Sequence, residues 1–375
     1  MERIHVDVAV QPQSYEVMVG TDLFGQIADD LRERPLASRY AVIADSRTGG
    51  LFGERLGAEL IRAGIRWQLF TFPEGEASKN RHQKELLEDA MLDAGYGRDS
   101  AVIALGGGVT GDLAGFVAAT YMRGIPVIQV PTSTLAMADS AIGSKTAVDV
   151  PQGKNLIGAF HSPEAVYIDV RTLETLDRRN YFAGLVELIK HSFIRRPELA
   201  DYLEEHRDII VGRQGADYGR VMEKLWITNS AVKNEVVSAD QKESNLRKIL
   251  NYGHTLGHGV ELASGFRLIH GECVAIGIAY AAWLSYKLGY GTREYAEYQI
   301  RMLREYGQDC RIPEDLDGET ILAAMRRDKK VRDGRIEFIL LDAPGHPVTR
   351  GDGDYGIPVT EGTILETVKE FRRIF

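Results

Sequence analysis

Ser100-Ala101-Val102-Ile103-Ala104-Leu105-Gly106-Gly107-Gly108-Val109-Thr110-Gly111-Asp112-Leu113-Ala114-Gly115 reads as a strand, a glycine turn and the opening of a helix. Glycine lets backbone N–H groups come close to a pyrophosphate, and a helix N-terminus adds a favourable dipole. A tight turn without a ligand carries the same glycines, but the strand before and the helix after favour a nucleotide. The pattern departs from the usual dinucleotide fingerprint, because no acidic residue ends a strand at the expected distance downstream. Asp45 ends an upstream strand instead; it could hold a ribose hydroxyl, and it could equally cap a turn.

Outward from this stretch, about the first 170 residues alternate short β-branched runs with helical stretches. Arg39–Ala44, Trp67–Phe72, Pro126–Val130 and Ala165–Asp169 read as strands, and residues 81–94 as an amphipathic helix. That rhythm predicts βαβ units and a mostly parallel sheet with helices on its faces. After about Thr175 long helical patterns take over, at 179–193, 197–205, 217–236, 254–261, 272–288, 293–306 and 320–327. One strand signal remains there, at 336–341. The expected fold class is α/β: a Rossmann-like nucleotide-binding domain over 1–178 and an all-helical domain over 179–375. No internal repeat and no low-complexity tract interrupts this plan.

Of the 375 residues, 45 are Lys or Arg and 54 are Asp or Glu, a net charge of −9. An acidic total gives no support to nucleic-acid or membrane-surface binding, both of which need basic patches. The 44% hydrophobic content is enough for a sizeable core and argues against wholesale disorder. Cys273 and Cys310 are the two cysteines, so a disulfide scaffold and a cysteine-ligated metal are both excluded. The N-terminal segment MERIHVDVAV lacks the layout of a signal peptide. The longest apolar run, Cys273 to Leu284, is shorter than the roughly 20 residues a bilayer requires. A cytoplasmic location is expected.

Lys145 and Lys154–Asn155 lie among glycine and proline turns, where a backbone can bend around a ligand, and lysine binds phosphate as a point charge. Arg123, in a Tyr-Met-Arg-Gly turn, could add a fork. Together these favour an anionic small molecule over plain surface charge. The polar loop Pro73-Glu74-Gly75-Glu76-Ala77-Ser78-Lys79 reads on its own as a solvated turn. His254 and His258 are four apart, which puts both rings on one helical face, and His270 follows at the start of the next helix. Thr255 stands where a zinc protease needs its general-base glutamate, so that activity is disfavoured. Two histidines and one carboxylate would suit a catalytic zinc with an open position. The sequence around the histidines does not choose the carboxylate.

The motifs GGGVTGDLAGFVAATYMRG, DSAIGSKTAVDVPQGKNLIGAF, GLVELIK, KNEVVSAD, ESNLRKILNYGHTLGH, HGECVAIG and RRDKK together resemble the sugar-phosphate cyclases, and among them the dehydroquinate-forming type. The resemblance covers most of the chain, from about Val42 to Gly345. It implies a nucleotide-binding domain and a helical domain with the site in the cleft between them. It implies NAD and a divalent metal, zinc or else cobalt, with Glu187, His254 and His270 as metal ligands. His258 then faces substrate, which modifies the spacing argument. For NAD the matching positions are Asp45, Glu76, Lys79, Gly107, Gly108, Asp112, Thr132, Ser133, Lys145, Lys154, Thr172 and Thr175. For an acidic sugar-phosphate substrate they are Asp139, Lys145, Lys154, Asn155, Lys190, Lys233, Arg247, Asn251, His258 and a lysine of the Lys329–Lys330 pair. Arg123 matches an arginine that reaches the phosphate of the neighbouring subunit's substrate, which implies a homodimer.

The implied substrate is a seven-carbon 2-keto acid phosphate that loses its phosphate and closes into a carbocycle. Residues that depart from the commonest pattern are Ser144, Asp149-Val150, Val186, Leu188 and His191-Ser192; they bear on fine substrate preference. Rival readings are a cyclase of the aminodehydroquinate, 2-deoxy-scyllo-inosose or valiolone type, a metal-dependent polyol dehydrogenase, and a catalytically silent NAD-binding regulator.

Overall fold

The computed structural model describes residues 14–327 and 336–375; Lys329 and Lys330 lie outside the described residues. Six strands form one parallel sheet: β1 (Glu16–Gly20), β2 (Arg39–Asp45), β3 (Trp67–Phe72), β4 (Ser100–Gly106), β5 (Val127–Pro131) and β8 (Ala165–Asp169). Their spatial order is β1-β8-β5-β4-β2-β3, and every neighbouring pair is parallel. All seven residues of β4 are buried. Successive side chains of a strand point to opposite faces, so Val102 and Ala104 enter one apolar cluster while Ala101, Ile103 and Leu105 enter another. A strand covered on both sides reads as a continuous apolar run, as this one does.

Helices α1 (Phe24–Glu33) and α3 (Glu54–Arg62) cover one face through Ile27, Leu31, Leu56 and Leu60. The short turn α2 (Ser46–Thr48) lies between them. Helices α4 (Arg81–Asp93) and α5 (Gly108–Thr120) cover the other face through Leu87, Met91, Leu113 and Val117. From β2 the chain runs outward to β3, then returns to the far side of β2 as β4. That reversal opens a crevice at the carboxyl ends of β2 and β4, the usual ligand position in such sheets. The glycine turn at Gly106–Gly108 stands on its rim.

The lysine-rich stretch, read as turns where a backbone can bend around a ligand, forms an antiparallel hairpin, β6 (Lys145–Val150) and β7 (Gly153–Phe160). It lies across α5, where Gly115 admits Thr146: a Cβ there would stand 2.6 Å from the threonine methyl. The helical part comprises α6 (Arg178–Ile194), α7 (Pro197–Glu205), α8 (Arg207–Gly212), α9 (Tyr218–Ala239), α10 (His254–Ala263), α11 (His270–Lys287), α12 (Arg293–Glu305), α13 (Gly318–Met325) and α14 (Glu361–Ile374). This part is not all-helical as expected, because it also carries two small antiparallel sheets. β9 (Ile336–Phe338) pairs with β12 (Ile357–Val359), and β10 (Leu341–Ala343) with β11 (His346–Pro347). The single strand expected at 336–341 is thus cut in two, since its halves take different partners.

Helix α6 is buried continuously from Tyr181 to Ile194. A helix enclosed on every side lies at the centre of its layer, and this one carries charged groups into the core. The largest apolar cluster joins α6, α9, α10 and α11 to Val166 and Ile168 of β8, so the helices and the sheet share one core. Among the described residues, no helix is long and apolar enough to cross a membrane.

Candidate active site

Glycines bring α6, α10 and α11 to backbone contact. A Cβ on Gly277 would stand 1.8 Å from the Gly253 carbonyl oxygen, and one on Gly271 1.9 Å from that of Ala183. Gly253 itself has φ +81, a conformation glycine adopts without strain. This approach gathers Glu187 of α6, His254 at the start of α10 and His270 at the start of α11, whose ligand atoms all lie within 4.8 Å of one another. Glu187 Oε1 is 3.4 Å from His254 Nε2 and 3.5 Å from His270 Nε2. It is buried and, among the described residues, makes no hydrogen bond. Ligands about 2.1 Å from a tetrahedral centre stand about 3.4 Å apart, so these spacings fit a divalent cation. The other Glu187 oxygen accepts from Lys190. Burial alone would raise the Glu187 carboxyl, but Lys190 and the imidazoles hold it well below the usual range.

His254 Nδ1 donates to the Tyr252 carbonyl at 3.2 Å, and His270 Nδ1 lies 3.5 Å from Glu261 Oε2. Such outer partners fix the tautomer and turn Nε2 toward the centre. A second grouping, His258, Glu261 and His270, shares His270 through its other nitrogen. Its carboxylate is already engaged by Lys154 at 2.8 Å. The His258 ring stands beside the first set, 5.3 Å from His254 and 5.8 Å from His270 between centroids.

A belt of cations faces this centre. Lys233 of α9 donates to the Asp139 backbone oxygen at 3.0 Å and to its carboxylate. Burial would raise Asp139, yet Lys233 and Lys190 hold it well below the usual range. One turn before Lys233, Asn229 donates to the Ala138 carbonyl at 3.1 Å and accepts from His191 Nδ1 at 2.7 Å. Arg247 is 3% exposed; it donates to the carbonyls of Gln241 and Gly143 and, among the described residues, pairs with no carboxylate. Its loop is built by Asp240, which accepts the amides of Ser244, Asn245 and Arg247. Lys145 and Asn251 both donate to Glu243, a residue held at φ +59. Lys154 reaches Glu76 at 3.5 Å as well as Glu261. Asn155 follows at φ +55, its amide on Asp149 at 2.8 Å.

At the crevice, a Cβ on Gly107 would meet Ser133 Oγ at 3.3 Å, and one on Gly108 would meet Ser140 Oγ at 3.2 Å. Thr132 donates its amide to the Gly106 carbonyl at 2.9 Å. Pro73 to Ala77 are exposed, as a solvated turn would be, but the loop ends on buried Ser78 and Lys79, and Lys79 forms an ion pair with Asp112 of α5. Burial opposes the Lys79 charge, but Asp112 and Glu76 outweigh it and raise its pKa. Asp45 acts as a cap. Its carboxylate accepts the Arg47 and Thr48 amides at 3.0 and 2.9 Å, and the Thr48 and Thr110 hydroxyls at 2.8 and 3.1 Å.

Three expected residues stand apart. Thr172 and Thr175 follow β8, which β5 separates from β4, and both hydroxyls donate to backbone carbonyls. Arg123 is exposed at the far end of the 13-residue α5, about 20 Å from the glycine turn. The structure therefore does not bring it to the cleft of its own chain. Glu243 and Glu261 carry no local signal of a site role, although Glu243 opens the motif ESNLRKILNYGHTLGH.

The family described as 3-dehydroquinate synthase N-terminal matches residues 69–183, and that described as 3-dehydroquinate synthase C-terminal matches 184–331. The 3-dehydroquinate synthase of Symbiobacterium thermophilum is 44% identical over 342 residues, covering 91% of this chain and 94% of that protein. Among solved structures, a 2-epi-5-epi-valiolone synthase from Streptomyces hygroscopicus with NAD+ and Zn2+ bound superposes with a TM-score of 0.86 at 28% identity, covering 98% and 99% of the two chains. A 2-deoxy-scyllo-inosose synthase complexed with carbaglucose-6-phosphate, NAD+ and Co2+ gives 0.84 at 27% identity, covering 95% and 96%. The cleft geometry and these likenesses lead to one assignment: the chain belongs to the 3-dehydroquinate synthase family.

Proposed function

We propose that this chain converts 3-deoxy-D-arabino-heptulosonate 7-phosphate into 3-dehydroquinate and phosphate. The observation that carries the reading is the Glu187–His254–His270 group, with Glu187 and His254 buried and His270 half-buried, beside Lys190, Lys233 and Arg247 and in one cleft with the glycine turn. Bound NAD would supply a reversible hydride acceptor, and a divalent metal a Lewis acid at the hydroxyl being oxidised. We assign zinc, because two imidazoles and one carboxylate with an open fourth position suit it.

The remaining work falls to side chains. Arg247, whose guanidinium has only carbonyl partners among the described residues, receives the substrate carboxylate, with Lys233 and Asp139 on adjoining hydroxyls. A buried cation beside a carboxylate binds strongly because little water competes. Lys190 keeps Glu187 ionised. Lys145, Lys154 and Asn155 hold the phosphate together with Arg123 of the partner subunit, whose own chain cannot bring it there, so the active form is a homodimer. Asn251 and His258 stand at the leaving group. Elimination follows once the carbon next to the transient ketone is acidified; reduction, ring opening and aldol closure complete the product. Glu76, Lys79, Gly107, Gly108, Asp112, Thr132 and Ser133 line the NAD crevice. Asp45 supports it as the cap of the turn after β2. We divide the chain at residue 178, since β8 closes the large sheet and all three metal ligands come later. The setting we assign is cytoplasmic, in keeping with two unpaired, buried cysteines.

Incubation with the heptulosonate phosphate, NAD and zinc is expected to release phosphate and dehydroquinate in equal amounts with no net NADH. Absence of both products overturns the reading, and accumulation of NADH would make the chain a polyol dehydrogenase.

A further inference from the structure

We propose that Glu261 is a positioning residue shared between His270 and Lys154, and that the hold of Lys154 on it weakens the support it gives His270 in binding the metal. The inference rests on the metal site assigned above. Glu261 lies on the last turn of α10, 6% exposed, and its two oxygens face different elements. Oε1 accepts from Lys154 of β7 at 2.8 Å, and Oε2 lies 3.5 Å from His270 Nδ1 of α11. A carboxylate only accepts, so Nδ1 of His270 carries the proton and the Nε2 lone pair faces Glu187.

The two distances are unequal, and the difference shows the competition. The carboxylate is drawn to the lysine and stands long from the imidazole. Lys154 is held in turn by Glu76 at 3.5 Å and lies 4.8 Å over the Phe266 ring. An anion that takes Lys154 leaves the Glu261 charge to His270, which makes that imidazole a better ligand. Anion and metal binding then assist each other, as linkage requires of any coupled pair.

The test is zinc affinity of the metal-free protein, measured by competition with a chromophoric chelator in the absence of substrate. Glu261→Gln keeps size and an accepting oxygen but removes the charge, and is expected to weaken zinc about tenfold. Lys154→Met is expected to tighten zinc about threefold or more. In the double variant Lys154→Met should change nothing beyond Glu261→Gln, because its effect runs through the carboxylate. An unchanged affinity in Glu261→Gln overturns the inference, as does a gain from Lys154→Met that persists in the double variant. A loss of about a thousandfold or more in Glu261→Gln would make Glu261 a ligand and overturn it as well. Failure of the unaltered protein to bind zinc would strike the metal site itself, a result distinct from all of these.

Discussion

The crevice at Gly106–Gly108 and the cleft at Glu187 are built by different means. The crevice is main chain: a strand, a glycine turn and a helix N-terminus within sixteen consecutive residues. The cleft is side chain, its members spread from Asp139 to His270 on separate elements and drawn together by glycine contacts between helices. A site of the first kind depends on local conformation, whereas a site of the second kind depends on how elements pack.

The sharpest way to break this contrast is Glu187→Ala. Removing this proposed metal ligand is expected to lower phosphate release by about a thousandfold, since Lewis-acid stabilisation is worth several kcal/mol. NAD binding, followed by fluorescence titration, should persist; its loss would show that the two sites are one unit.

A matched pair of glycine variants comes next. Gly277→Ala places a methyl 1.8 Å from the Gly253 carbonyl. It should cost about 3 kcal/mol in urea unfolding and empty the metal site. Gly107→Ala meets a serine hydroxyl at 3.3 Å. It should leave stability within about 1 kcal/mol and weaken NAD instead. Equal stability losses in the two variants would erase the distinction.

Between about pH 4 and 6.5 a pH effect is expected from the cleft. Burial, with Lys190 and Lys233 nearby, pushes the His191 imidazole down to about 4. The unfolded imidazole titrates near 6.5, so between these values the unfolded chain binds a proton that the folded chain does not. Stability is therefore full above about pH 6.5 and falls as pH drops toward 4, by about 3 kcal/mol in all. His191→Gln should flatten that part of the urea-midpoint profile, and an unchanged profile would count against it.

The smallest effect is expected at Asp45. Because it is a cap, Asp45→Asn should lower stability by about 1 kcal/mol or less and leave NAD affinity within about threefold. A tenfold loss of NAD affinity would return Asp45 to the ribose.

Local signals were readable in proportion to how local the structure is. The strand at Ser100–Gly106 has its pattern in its own residues, as does the Tyr218–Ala239 helix. The 145–160 hairpin was missed because most of β7 faces outward, which leaves no apolar alternation, and its turn holds Pro151-Gln152 rather than an Asn-Gly signal. Helix α14 did carry its signal, with Thr360 capping and Ile364, Val368 and Phe371 at helical spacing. Lys154 and Glu261 meet across 107 residues, Lys145 and Glu243 across 98, and no local pattern announces such pairs. The metal carboxylate likewise came from resemblance alone. Nothing around Glu187 marks it until the helices are packed.

Where Gly271 meets Ala183 and Gly277 meets Gly253, main chain touches main chain, and no rotamer at those two contacts can absorb a displacement. The cation's seat is dimensioned by main chain, so substitutions lining the surrounding walls can retune which sugar fits without moving the three donors.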